Sequence, residues 1–155
     1  MSQCENYHKI AAAIASHIAI FDVQTGQRVQ TYKAHSQRVN AVHSHPANSY
    51  LVVSGSSDKT MRVWDLRSPI AVQIYQAHDD AVTCVRMAGN ESYLVSVAKD
   101  NTTKIWDWNK PSLLHVIKYV APKMISYNNE GTKFISCAHY ALRYDAISAA
   151  LLATF

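Results

Sequence analysis

From residue 38 onward, apolar residues come in short runs bounded by polar punctuation. "RVNAVHSH", "YLVVSGS", "TMRVWDL" and "IAVQIYQA" are rich in β-branched and aromatic residues, and "HPANS", "SSDK" and "RSP" separate them. The following stretch repeats the pattern as "AVTCVRM", "YLVSVA", "TKIWDW" and "LLHVIKY", with "AGNES" and "NKP" between. Runs of this length and composition, broken by turn residues, predict strands rather than helices. Four strands fit into each period of forty-two residues with no room for a crossover helix, so each set predicts a small antiparallel sheet. Such a sheet has two apolar faces and cannot bury both alone, so neighbouring sheets must stack.

The period is exposed by fixed markers. Ser54 and Ser96, Asp58 and Asp100, and Trp64 and Trp106 are each 42 residues apart, and His35 and His78 are 43 apart. Weaker copies flank the two strong ones. Phe21-Asp22 stands where Trp-Asp stands elsewhere, within "KIAAAIASHIAIFDVQTGQRVQTYKA", and Tyr144-Asp145 takes that place in the last copy. Both flanking copies have a shortened turn before the third strand and lack the upstream histidine and the turn aspartate, and the first lacks most of an opening strand.

Ser, His and Asp together raise the question of a hydrolytic triad. A triad is needed once, beside a cleft and an oxyanion hole. Here the set occurs twice, each time with a tryptophan at the same offset, which points to architecture. The two copies, "AH…VSGSSDKTMRVWD" and "AH…VSVAKDNTTKIWD", resemble the WD-repeat β-propeller family, and the resemblance covers nearly the whole chain. Ala34 and Ala77 stand where that family usually has glycine.

The resemblance implies hydrogen-bonded structural tetrads, His35–Ser54–Asp58–Trp64 and His78–Ser96–Asp100–Trp106, and no catalytic residues. The chemistry suits the residue types: the indole donates only, the hydroxyl accepts and donates, and the imidazole links it to a carboxylate. The fold expected is all-β, a partial propeller of about three and a half blades. Blade 1 is partial over 8–34, blade 2 covers 35–77, blade 3 covers 78–118, and a degenerate blade 4 covers 119–155. A seven-blade ring needs roughly 300 residues at this period, so the chain reads as part of a larger propeller, one completed by another chain, or a small four-blade ring.

The resemblance also implies partner contacts on the narrow face of the ring. The matching positions are Arg38, Asn40 and Ser57 in blade 2, Ala81, Thr83 and Lys99 in blade 3, and Lys123 in blade 4. Arg38, Lys99 and Lys123 give that face a basic character that suits an acidic peptide or nucleic acid. Asp79 and Asp80 are a local acidic exception. "VVSGSSDKTMRVWDLR" also resembles a motif of propellers that recruit substrates to cullin-type ubiquitin ligases, with Arg67 placed to meet the adaptor.

Composition bounds the remainder. With 48% hydrophobic and 17% charged residues, a packed core is expected rather than disorder. A net charge of +4 and a pI near 9.0, without a Lys/Arg run, leave nucleic acid open as a partner class. Three scattered cysteines, Cys4, Cys84 and Cys137, make neither a CxxC pair nor a disulfide framework. Cys84 and Cys137 read as small core fillers. His43 and His45 lie two apart in "VHSHP" without a third ligand in view, so no metal and no cofactor are expected. "KIAAAIASHIAIF" is interrupted by His17 and lacks the basic start of a secretory leader, so an intracellular protein, cytoplasmic or nuclear, is expected. No phosphate loop, dinucleotide fingerprint or catalytic motif is present. The function expected is a non-catalytic interaction scaffold. The alternatives are a ubiquitin-ligase substrate receptor and a nucleolar or RNA-associated complex subunit.

Overall fold

The alternation of β-branched runs and turn residues builds fifteen strands among the described residues of the computed structural model, which are 9–89, 93–118, 124–127, 133–137, 141–145 and 150–154. Lys123 and Cys4 lie outside them. The first sheet holds β1 (Lys9–Ile14), β2 (His17–Asp22) and β3 (Arg28–Lys33) in that order. The second holds β4 (Val39–Ser44), β5 (Leu51–Ser56), β6 (Thr60–Asp65) and β7 (Ala71–Gln76). The third holds β8 (Val82–Met87), β9 (Tyr93–Ala98), β10 (Thr102–Asp107) and β11 (Ser112–Lys118). The fourth holds β12 (Met124–Tyr127), β13 (Lys133–Cys137), β14 (Ala141–Asp145) and β15 (Leu151–Thr154). Every pairing is antiparallel between consecutive strands.

The sheets stack in chain order. β4 lies against β1 and β2, β8 against β4 and β5, and β12 against β8 and β9. The result is an all-β arc of blades, a partial β-propeller. Among the described residues no strand ladder joins the first sheet to the fourth.

Alternation within each strand divides the core. One face of the second sheet gives Val39, Val52 and Trp64 to a cluster with Ile18, Ile20 and Tyr32 of the first. Its other face gives Val53, Met61, Val63 and Tyr75 to a cluster with Val82, Val85, Leu94 and Trp106 of the third. Burying each such side chain contributes roughly 1.5–3 kcal/mol, which only a neighbouring blade makes available. Cys84 is buried in the third sheet.

Bulges mark equivalent positions. The ladder between third and outermost strands slips at Ile20/Phe21, Val63/Trp64, Ile105/Trp106 and Arg143/Tyr144. Phe21 and Tyr144 therefore occupy the register of the two tryptophans. Each extra residue raises local twist and lets the strand curve away from its partner.

The turn of the first copy differs from those of the two intact copies, while residues 138–140, the corresponding turn of the last copy, lie outside the described residues. Ser57-Asp58-Lys59 and Lys99-Asp100-Asn101 connect their strands with three residues, and the third is left-handed in each (Lys59 φ 70°, Asn101 φ 62°). That is the usual geometry of three-residue hairpins. The first sheet uses only Ala15 and Ser16, with Ala15 at φ 51°. Among the described residues no helix is long and apolar enough to cross a membrane.

Candidate functional site

Each tetrad is assembled by three elements: the loop before the innermost strand, the second strand, and the turn and strand that follow. In the second blade Trp64 Nε1 donates to Ser54 Oγ at 2.9 Å. Ser54 Oγ lies 2.8 Å from His35 Nε2, and His35 Nδ1 lies 2.9 Å from Asp58 Oδ2. The third blade repeats these distances: 2.9 Å for Trp106 to Ser96, 2.8 Å for Ser96 to His78, and 2.9 Å for His78 to Asp100.

The indole fixes the direction of the chain of hydrogen bonds. Its N–H can only donate, so the serine oxygen accepts it and the hydroxyl donates to Nε2. The imidazole proton then sits on Nδ1 and goes to the carboxylate. The serine hydroxyl is thus fully used between two buried partners, and no cleft opens onto it: Ser54 and Ser96 have no exposed surface.

The carboxylate gathers donors beyond the histidine. Asp58 Oδ1 accepts from the Thr60 hydroxyl at 2.6 Å and the Thr60 amide at 3.0 Å, and Oδ2 accepts from the Ser36 amide at 3.1 Å. Asp100 receives the Thr102 hydroxyl, the Thr102 amide and the Asp79 amide in the same way. A side chain only 6% exposed can hold a charge with this many donors.

The electrostatics follow. Burial lowers the His35 pKa below its ordinary 6.5, although Asp58 pulls the other way, so the ring is neutral at pH 7. Burial likewise lowers His78 against Asp100. Burial alone would raise the Asp58 pKa, but the bonds from Thr60 and His35 outweigh it and hold the group at about 2. Asp100 is lowered by the same balance.

Thr60 and Thr102 are members that the four-residue reading misses. So are Tyr32 and Tyr75, whose rings lie 5.8 and 5.4 Å from Trp64 and Trp106 of the next blade. Tyr32 also donates its hydroxyl to the Leu66 carbonyl at 2.7 Å. The signal was available: the threonines are 42 residues apart and the tyrosines 43, the same offsets as the other markers. In the first blade Ala12 and Phe21 hold the register of Ser54 and Trp64. Donor and acceptor are missing together, which leaves no orphaned polar group.

The rim positions are not equivalent. Arg38 and Lys99 are exposed. Asn40 and Thr83 are the extra residues where β4 and β8 slip against their neighbours. The bulge aims Asn40 sideways, and its Nδ2 donates to the Val82 carbonyl of the next blade at 2.8 Å and to Ser57 Oγ at 3.0 Å. Thr83 donates to the Val97 carbonyl at 3.3 Å. Ala81 is only 8% exposed, and its carbonyl accepts the Lys99 amide. Backbone bonds thus bring Arg38 beside Ser57 and Ala81 beside Lys99.

Arg67 is exposed but engaged. Its guanidinium forms a two-pronged bond with Asp65 and lies 4.8 Å from the Tyr50 ring centroid. His43 Nδ1 accepts the Met87 amide of the next blade at 3.2 Å, while His45 Nδ1 accepts the Ala47 and Asn48 amides within its own loop. Burial, with help from Arg86, pushes the His43 pKa down to about 4. Among the described residues, His, Cys, Asp and Glu side chains form no group of three or more that could hold a metal ion.

Comparison with known proteins agrees with this geometry. The family described as "WD domain, G-beta repeat" matches residues 26–65 and 70–107. The chain is 31% identical over 103 residues to the pre-mRNA-splicing factor cwf17 of Schizosaccharomyces pombe, which covers 66% of this chain and 30% of that protein. It is 42% identical over 64 residues to the target of rapamycin complex subunit LST8-1 of Arabidopsis thaliana, covering 40% and 21%. It is 42% identical over 57 residues to the ribosome biogenesis protein ytm1 of Neurospora crassa, covering 35% and 12%. The chain therefore spans less than a third of the length of these relatives. Its repeats place it among known proteins without ambiguity: the chain belongs to the WD40-repeat family.

Proposed function

We propose that this chain is a non-catalytic protein-interaction scaffold working within a larger intracellular assembly, cytoplasmic or nuclear. The observation that carries this reading is the use of both Ser–His–Asp sets as internal ties. Each serine oxygen is held between an indole and an imidazole and has no exposed surface. The stacked blades then act as a rigid mount, and exposed loop residues select the partner.

Arg38 and Lys99 are the cations offered to an acidic partner on the narrow face, with Asn40 and Ser57 as a hydrogen-bonded pair joined to Arg38 through the Ser57 amide. Lys123, Ala81 and Thr83 belong to the same proposed rim. Relatives named as a target of rapamycin complex subunit, a splicing factor and a ribosome biogenesis protein support membership of a complex. The last two names, with a pI near 9.0, also favour a second reading, an RNA-associated complex subunit.

The test is recovery of native partners with the Arg38→Glu/Lys99→Glu protein beside Arg67→Ala. The scaffold reading expects the double variant to fold normally and to lose its acidic partner, with the total loss exceeding about 1 kcal/mol. Retention of every partner by the double variant, with loss of a ubiquitin-ligase adaptor from Arg67→Ala, would replace it with the ligase-receptor reading. Binding that weakens steeply with salt and depends on RNA favours the RNA-associated subunit.

A further inference from the structure

Among the described residues, most of the exposed large aliphatic side chains lie on the outermost strands β3, β7 and β11. Val29, Val72 and Leu114 are 55%, 58% and 39% exposed. Each is the extra residue of the bulge in its strand, and Leu152 takes the same place in the register of β15. The extra residue of a bulge is unpaired in the ladder, and a sheet edge is usually blunted there by a charged or polar side chain. An aliphatic residue at this register in all four sheets is therefore explained by neither ladder nor core. Two residues further along, Ile74 and Val116 are also exposed.

Charge narrows the choice of occupant. β3 and β11 carry Arg28, Lys33 and Lys118, all exposed, and none of the three outermost strands contains Asp or Glu. Asp22, Asp65 and Asp107, which end the adjoining strands, turn into their own hairpin loops and accept amides there. A second copy of this edge would set like charges against each other. The bulges interrupt the edge and twist it away from an added strand. Side chains rather than main chain must then make the contact. Sheets packed face to face are about 10 Å apart, and one heptad of α-helix advances about 10.5 Å, so helix residues a heptad apart meet neighbouring blades.

We infer that the outer edge of the blades binds an acidic amphipathic helix of a partner protein. The helix lies across neighbouring blades, with apolar residues one heptad apart on Val72 and Leu114 and carboxylates toward Arg28 and Lys118. The apolar residues supply affinity, and the carboxylates supply selectivity. This surface is separate from the proposed rim of Arg38 and Lys99, so its failure leaves the scaffold reading standing.

The probe is a synthetic peptide of about 21 residues, alanine and glutamate with leucine at every seventh position, labelled and titrated against the full 155-residue chain. Saturable binding that weakens with salt is expected, with none for a scramble of the same composition. Val72→Ser/Leu114→Ser should weaken it about tenfold or more, and Arg28→Glu several-fold. Ile14→Thr and Lys9→Glu, exposed changes on β1, should leave it unchanged. Absence of saturable binding overturns the inference. So does equal binding by the double variant, or a loss with Ile14→Thr or Lys9→Glu as large as with the double variant. Self-association of the unaltered chain that the double variant abolishes would overturn it in favour of a second copy. Should the double variant not fold, thiol labelling decides. Compared with the unaltered chain, Val72→Cys should gain one fast-reacting thiol that the peptide protects. Slow labelling without peptide, which would mean that the chain covers this face itself, or no protection by peptide, overturns the inference.

Discussion

Asp58 shows how one side chain serves as a junction. It accepts bonds from His35, Thr60 and the Ser36 amide, which tie together the loop before β4 and the turn before β6. Asp58→Ala leaves the buried His35 and Thr60 donors unpaired and should cost on the order of 1–3 kcal/mol, read as a lower denaturation midpoint with an unchanged slope. A midpoint equal to wild type would show that water replaces the carboxylate freely. Protonation should act in the same direction. His35, His78 and His43 are lowered from 6.5 in the folded chain, so the stability they contribute is complete above that value and is lost as pH falls below it, to about 4 for His43. Asp58, lowered from 3.8 to about 2, contributes fully above 3.8 and loses its contribution as pH falls toward 2. Stability measured against pH should therefore decline in two stages on the acid side, and His43→Gln should flatten the first. An unchanged first stage in that variant would remove His43 from the account. The tetrads were legible in the sequence because Ser, His, Asp and Trp are chemically distinctive and recur at one offset. Thr60, Thr102, Tyr32 and Tyr75 recur at the same offsets but blend into strand composition.

At the scale of strands, what positions the rim is the mismatch between neighbours. The extra residue in β4 turns Asn40 toward the Val82 carbonyl of the next blade, whereas the extra residue in β8 turns Thr83 toward the Val97 carbonyl of its own sheet. Runs such as "VNAVHS" and "VTCVRM" fix strand identity, but the slip depends on how two strands twist together, so Asn40 read as a free partner contact when it is also a tie between blades. Gly55 is similar. A Cβ built there would lie 2.5 Å from Val82 Cγ1 and 2.8 Å from Val85 Cγ1, a distance set by the approach of the next blade and invisible in "VSGSS". Gly55→Ala should destabilise the chain by about 1–3 kcal/mol through overpacking, and Gly55→Ala with Val82→Ala should recover part of the loss. Equal stability of Gly55→Ala and wild type would mean the second and third blades separate more easily than their shared core suggests.

For the whole molecule, stacking makes the blades interdependent. Trp64 is buried against the first blade and Trp106 against the second, so each tetrad is anchored by a ring packed on its neighbour. The four-strand period and the stacking were legible from the forty-two-residue repeat. The groove between the first two blades was not legible, because it arises where the end of β1 and its turn meet the loop before β4. The central claim is that the duplicated Ser–His–Asp–Trp sets build the fold and perform no chemistry. It is tested most directly by urea denaturation of the wild type, Ser54→Ala and Ser96→Ala, with the same samples assayed against ester and amide substrates. The account predicts that each substitution lowers the midpoint, by on the order of 1–3 kcal/mol in stability, and that no sample turns over substrate. Turnover by the wild type that disappears in Ser54→Ala or Ser96→Ala, with the midpoint unmoved, would contradict it.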